Sequence, residues 1–312
     1  MTSIALGPQT CTSLAQGSRR EWLVADGLGG YAMGTVAGLR TRRYHGLLVV
    51  ATAPPAGRHL ALVALDPVLV IGDTRVGLGT HRWSDGTLAP DGFTLLATFT
   101  LDDGVPRWRW QVGDIVIDRE AAMVRGRPAV AVHHRLVAGS HPVRLELEAL
   151  CTWRSAHGER FGTGAPDVEP VAGGFVFERH YRVHGPGFVA GGDWYRGVRH
   201  DEELERGLPA MEDLFCAGRF TADLHPGDHA DVAAWTGDLD DRPPPAATQH
   251  RRRHAVVRAR ARTAHRRHRR RRPRRRPARC AHRDHRQHVA GTRYGIAVDP
   301  ADGPPAPSGD DF

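Results

Sequence analysis

Arg107-Trp108-Arg109-Trp110-Gln111-Val112-Gly113-Asp114-Ile115-Val116-Ile117 is two short runs around a pair of turn residues. In an extended chain successive side chains point to opposite faces, so Trp108, Trp110 and Val112 share one side and Arg107, Arg109 and Gln111 the other. A two-residue Gly-Asp loop between such runs predicts a β-hairpin. The same alternation recurs at Val143, Leu145, Leu147 and Ala149, set against Arg144, Glu146 and Glu148. Each segment therefore has one face for a core and one for water.

Further strands are predicted on either side of these segments. Leu47-Leu48-Val49-Val50 is an apolar run closed by Pro54-Pro55, and Leu60 to Ile71 is β-prone with an interruption at Asp66-Pro67. Phe93 to Leu101, Ala129 to Val137, Gly174 to Phe177, Phe188 to Ala190, Arg219 to Leu224 and His229 to Trp235 complete the set. One helix is expected, over Asp201 to Leu208, its acidic residues early where the macrodipole favours them. Glu202, Glu203 and Glu205 then read as its solvated face. Many short strands separated by Gly and Pro turns predict an all-β fold, a large antiparallel β-sandwich.

Composition divides the chain. There is no lysine among 43 basic residues; 24 arginines lie in residues 1–250 against 30 Asp and Glu, and 19 in residues 251–312 against 5. The first part is acidic and the high isoelectric point belongs to the tail. After Pro243-Pro244-Pro245, residues 250–288 are almost wholly Arg, His, Ala and Pro, with too few apolar groups to bury a core, so disorder is expected there. Clustered arginine supports nonspecific nucleic-acid contact through phosphates, although no aromatic residue between His250 and Thr292 is available for bases to stack on. The seven histidines from His250 to His288 show no zinc-ligand spacing. The composition is also what a G/C-rich gene yields when read out of frame, and residues 241–290 are read as a frameshift product. Residues 1–18 are expected to be a flexible lead-in, and residues 19–240 the folded domain.

Cys11, Cys151, Cys216 and Cys280 are scattered without a C-x-x-C pair, which fits free thiols in a reducing compartment. Met1 to Gln16 lacks a secretory pattern and no apolar run is long enough to span a bilayer. A cytoplasmic protein without membrane association is expected.

The densest local signal is Glu21-Trp22-Leu23-Val24-Ala25-Asp26-Gly27-Leu28-Gly29-Gly30-Tyr31, continuing through Thr41-Arg42-Arg43-Tyr44-His45-Gly46-Leu47-Leu48. Its glycines permit positive φ and close backbone approach, but their spacing is not that of a dinucleotide-binding loop. Together with Gly34-Thr35-Val36, Pro90-Asp91-Gly92-Phe93, Asp193-Trp194-Tyr195-Arg196, Glu205-Arg206-Gly207-Leu208 and Glu212-Asp213-Leu214-Phe215, it resembles the N-terminal domain of bacterial and archaeal glycogen debranching enzymes, the amylo-α-1,6-glucosidases. The resemblance covers residues 19 to 240. It implies a β-supersandwich, an α-glucan partner such as glycogen or limit dextrin, and no cofactor. Gly291-Thr292-Arg293-Tyr294-Gly295 through Gly303 is similar to catalytic-domain sequence of that family, so residues 291–312 read as a remnant and tail.

Inverting glycoside hydrolysis needs a carboxylic acid and a carboxylate about 6.5–9.5 Å apart. The resemblance implies that relatives carry this pair on an (α/α)₆ barrel, for which these 312 residues hold no sequence, and no carboxylate here is assigned a catalytic role. Tyr31, Arg42, Arg43, Tyr44 and His45 are the candidate substrate-binding residues: Arg and His can donate to sugar hydroxyls, and a tyrosine can stack on a pyranose. The alternative is structural, with Arg42 or Arg43 pairing to Asp26 or Glu21 and holding the glycine-rich loop. Trp194 is open to the same two readings, core packing or sugar platform. Three functions therefore stand at this point: a debranching-enzyme domain inactive alone, a stand-alone α-glucan-binding module, and an Arg-rich nucleic-acid binder.

Overall fold

The computed structural model describes residues 3–53 and 57–244. The readings of the tract and remnant beyond Pro244 lie outside the described residues. The chain opens with strand β1 (Ser3–Leu6) and helices α1 (Pro8–Cys11) and α2 (Leu14–Ser18), followed by the hairpin β2 (Glu21–Ala25) and β3 (Tyr31–Thr35). Then come β4 (Gly46–Ala53), β5 (Gly57–Ile71), β6 (Thr74–Gly77) and a small hairpin, β7 (Thr80–Arg82) and β8 (Leu88–Asp91). The middle of the chain supplies β9 (Leu96–Asp102), β10 (Val105–Val112), β11 (Ile115–Met123), β12 (Ala129–Ala138) and β13 (Val143–Ser155). The last third gives β14 (Val168–Val171), β15 (Gly174–Phe177), β16 (Tyr181–His184), β17 (Val189–Arg199), helix α3 (Asp201–Glu205), β18 (Met211–Leu224) and β19 (His229–Thr236).

Two large antiparallel sheets face each other. The first has nine strands in the order β1-β9-β10-β11-β12-β19-β16-β15-β14; the second runs β17-β18-β13-β5-β4-β3-β2, with β6 also on β5. One apolar core joins them, from Trp22, Leu48, Leu65 and Leu147 of the second sheet to Phe99, Trp108, Ile117, Val132 and Phe175 of the first. The predicted hairpin is present: Val112 pairs with Ile115, and Gly113 takes φ +59 in the two-residue turn. Its polar face carries the cross-strand pairs Arg107–Glu120 and Arg109–Asp118, while Trp108 and Trp110 point into the core.

Four expectations are corrected. Residues 3–18 are not a loose lead-in: β1 pairs with the β9 edge from Ser3↔Asp102 to Leu6↔Phe99, and Cys11 is fully buried in the core. The strand covers backbone donors and acceptors that an edge would leave open. Asp66-Pro67 does not interrupt β5, which runs unbroken from Gly57 to Ile71. Pro67 accepts from Leu78 N–H through its carbonyl, and a strand residue directs its N and O to the same side, so its missing donor lies where β4 has ended and β6 not yet begun. Helix α3 stops at Glu205, because Gly207 turns left-handed (φ +70) and a Schellman pair, Gly207 N–H to Leu204 O and Leu208 N–H to Glu203 O, closes it. The strand predicted from Phe93 starts only at Leu96, after a 3₁₀ turn over Gly92–Leu95.

A second, smaller apolar cluster lies on the far side of the second sheet, built from Val49, Leu60, Val63, Leu150, Val198 and Leu214 with Tyr31, Trp83 and Tyr195 at its margin. It raises β4, β5 and β13 to burial on both faces over part of their length. The candidate site is on this side of the molecule.

Candidate functional site

The glycine-rich loop joins β2 to β3. Gly27 and Gly29 take φ +87 and +101, and a Cβ on Gly30 would stand 2.4 Å from Asp26 Oδ2 and 2.7 Å from the Val49 carbonyl. Asp26 fastens the loop by accepting from Leu28 N–H (2.6 Å) and Gly30 N–H (3.0 Å) through Oδ1. No helix follows, so the loop is a hairpin connection and not an anion cradle.

Arg42, Arg43, Tyr44 and His45 form the turn leading into β4. Arg42 Nε donates to Glu21 Oε1 at 2.6 Å, and its Nη2 lies 3.3 Å from Glu202. Of the two pairings offered above for the arginines, the one with Glu21 is made. His45 donates from Nε2 to the same Glu21 oxygen (3.0 Å) and accepts Thr41 N–H at Nδ1 (3.2 Å), which fixes a neutral tautomer. Burial holds its pKa below the ordinary value against the pull of Glu21. Burial also opposes ionisation of Glu21, but His45 and Arg42 outweigh it and bring the carboxyl down to about 2.

Arg43 points inward. Its Nη1 donates to Glu159 Oε1 (2.6 Å) and the His157 carbonyl (2.7 Å), its Nη2 to the Pro209 carbonyl (3.1 Å), and its backbone N–H to Glu203 Oε1 (3.1 Å). Glu203 is fully buried. It is therefore not part of a solvated helix face as the sequence suggested: α3 is short and lies against the turn, with Glu202 N–H donating to the Thr41 carbonyl.

Beneath the turn sits a cluster that the sequence did not signal. Glu212 on β18 accepts from Arg154 Nε (2.5 Å) and Nη2 (2.9 Å), Arg40 Nη2 (2.7 Å) and His200 Nε2 (3.0 Å). Arg154 Nη2 also reaches the Arg43 carbonyl (2.8 Å), and Arg40 Nε the His45 carbonyl (3.0 Å). All four side chains are buried. Although burial opposes it, the two guanidinium groups and His200 hold the Glu212 carboxyl well below the usual range. The partners are separated by up to 172 residues, so neither periodicity nor spacing could have found them.

The five candidates thus divide. Arg43 and His45 are internal, with every His45 ring nitrogen engaged; Arg42 is shielded between Glu21 and Glu202. Tyr31 and Tyr44 are half-buried and keep accessible surface. Arg58 lies over the Tyr31 ring at 6.0 Å, and Tyr44 meets His157 edge-on with its hydroxyl 3.3 Å from Nδ1. Trp194 donates to the Gly164 carbonyl (2.7 Å) and packs edge-on against Phe215, flanking the main core. Glu21 and Glu212, low in pKa and committed to arginines, are unsuited to hold the proton a general acid must deliver. Among the described residues no group of three or more His, Cys, Asp and Glu is placed to hold a metal ion, and no helix is long and apolar enough to cross a membrane.

Fold and site together define an all-β sandwich domain in which the polar turn at residues 40–45 serves largely as internal scaffolding. The family model described as glycogen debranching enzyme N terminal matches residues 20–231, and the chain belongs to that family. No curated protein matches it.

Proposed function

We propose that the folded part of this chain, residues 19–240, is the substrate-side domain of an α-1,6-glucosidase acting at the branch points of glycogen and limit dextrin, and that it hydrolyses nothing by itself. The observation that carries this reading is the commitment of Glu21, Glu203 and Glu212 to arginine or backbone donors within a domain of the debranching family. Carboxylates so held support a surface; they do not shuttle protons. The contact role falls to Tyr31 and Tyr44, whose rings can stack on a pyranose, while Arg42, Arg43 and His45 keep the turn in place. A cytoplasmic setting, no cofactor and an α-glucan partner belong to the same proposal.

The test has two arms. The purified chain is assayed for glucose released from a branched limit dextrin, with none expected, and for glycogen affinity by electrophoresis in glycogen-containing gels, with retardation expected. Retardation that weakens in Tyr44→Ala and Tyr31→Ala supports the glucan contact. Appreciable glucose release would overturn the assignment of chemistry to another domain, and mobility indifferent to glycogen would overturn the contact role. Retardation without hydrolysis would also serve a free-standing glucan-binding module.

A further inference from the structure

The outward ion pairs of β10 and β11 leave one arginine on the wrong side. Arg107–Glu120 and Arg109–Asp118 occupy the wet face, and period-two alternation then turns Arg119 inward with Ile117 and Ala121, both core residues. Its register partner on β12 is His134, which faces inward with Val132 and Leu136. Two nitrogenous side chains thus stand side by side between the sheets.

Neither is provided for. His134 is fully buried and both ring nitrogens lack a hydrogen-bond partner; Arg119 Nε is likewise buried and unpartnered. Among the described residues Arg119 forms no ion pair; its neighbour is the Trp108 ring, 5.3 Å from the guanidinium carbon. The carboxylate whose charge registers on it, Asp66, is already engaged by His81. Burial lowers the guanidinium to about 10, so it remains charged at neutral pH. A buried donor or acceptor left without a partner costs free energy, and here Arg119 Nε and the His134 ring nitrogens are three such atoms on neighbouring strands. Arg119 is half-buried, its Nε turned to the interior while the residue keeps accessible surface, so the pair can be reached from solvent.

We infer that Arg119 and His134 form an internal site for one small monovalent anion of the halide type, held between the sheets beside Trp108. The Arg119 Nε–H and one His134 N–H supply the donors, and the anion supplies the negative charge that the chain does not. A neutral water would satisfy donors but leave the charge uncompensated. A dianion such as phosphate would leave a net negative charge among Trp108, Ile117 and Val132, with two donor side chains where it needs more. The site is structural, and independent of whether the domain binds glucan.

The experiment uses the full chain. Thermal unfolding is followed as sodium chloride replaces sodium gluconate at constant ionic strength, so that screening stays fixed. A ligand that binds the native state raises the midpoint with its concentration; the expected result is a rise with chloride in the parent chain and a flat response in Arg119→Met. Since Arg119→Met could fold poorly, His134→Leu, which retains the cation but loses a donor, is run beside it and should show a weakened response. Crystals grown in sodium bromide should give an anomalous peak between the two side chains. Equal midpoints in chloride and gluconate for the parent chain, or bromide-grown crystals with no peak there, would overturn the site.

Discussion

Arg154 grips Glu212 through two parallel hydrogen bonds, Nε to Oε2 at 2.5 Å and Nη2 to Oε1 at 2.9 Å, with both side chains buried. A fork of this kind fixes orientation as well as charge. It ties β13 to β18, and through Arg40 and the Arg43 carbonyl it ties both strands to the turn at residues 40–45.

Removing one partner strands the others. Glu212→Gln leaves Arg40 and Arg154 buried without their counter-charge, and the expected loss is about 3–5 kcal/mol of stability, measured by urea unfolding. Arg144→Ala breaks an exposed pair with Asp223 and should leave the midpoint where it was. Equal effects from the two changes would show that the buried cluster carries no special weight.

Acid should act in two windows. His45 and His134 have folded-state pKa values below the ordinary one, through burial and, at His134, the adjacent Arg119. As pH falls the unfolded chain binds their protons first, so stability declines below about pH 6.5, the unperturbed value, toward the lower folded values. Glu21, lowered to about 2 despite its burial by His45 and Arg42, contributes stability present above its ordinary range and lost as pH falls toward that value. Urea midpoints from neutral to acid pH test this; a midpoint unchanged between about pH 7.5 and 5.5 would mean that the imidazoles protonate in place.

Gly30→Ala should be poorly tolerated. The added carbon would meet Asp26 Oδ2 and the Val49 carbonyl well inside contact distance, and overpacking of this kind costs about 1–3 kcal/mol. Gly192→Ala has nothing within 4 Å and serves as the control. Differential scanning calorimetry of the pair separates a steric cause from a general intolerance of the second sheet.

Starting the chain at Arg19 would remove β1 and Cys11 from the core and open the β9 edge. Lower thermal stability and concentration-dependent association are expected in light scattering, since an unpaired edge is a template for another chain. A monodisperse shortened chain with the parent midpoint would contradict this.

Much of the architecture was legible because it rests on local alternation. Trp108 and Trp110 against Arg107 and Arg109 identify a half-buried strand without outside information, and the residues around Gly113 complete the hairpin. The motifs at Gly27–Tyr31 and Thr41–Leu48 likewise pointed to the family. What could not be read was set by distant partners. Glu203 looks like Glu202 and Glu205 in sequence, and differs only because the Arg43 N–H lies against it. Arg40, Arg154, His200 and Glu212 carry no shared spacing, and Arg119 follows the same alternation as Asp118 and Glu120 but in the opposite phase. Pro67 looked like a break because the uneven coverage of β5 by β4 and β6 is a property of the sheet, not of the strand.

The position of β19 bears on the order in which the domain can be completed during synthesis. The final strand of the described fold lies between β12 and β16, and β14, β15 and β16 join the first sheet only through it. A nascent chain that has emerged as far as β18 can pair β9 to β12, but its later hairpins have nothing to dock on. The sheet closes only when His229–Thr236 arrives, so the ribosome must release nearly the whole domain before folding can finish, and the unjoined strands depend until then on protection from other chains.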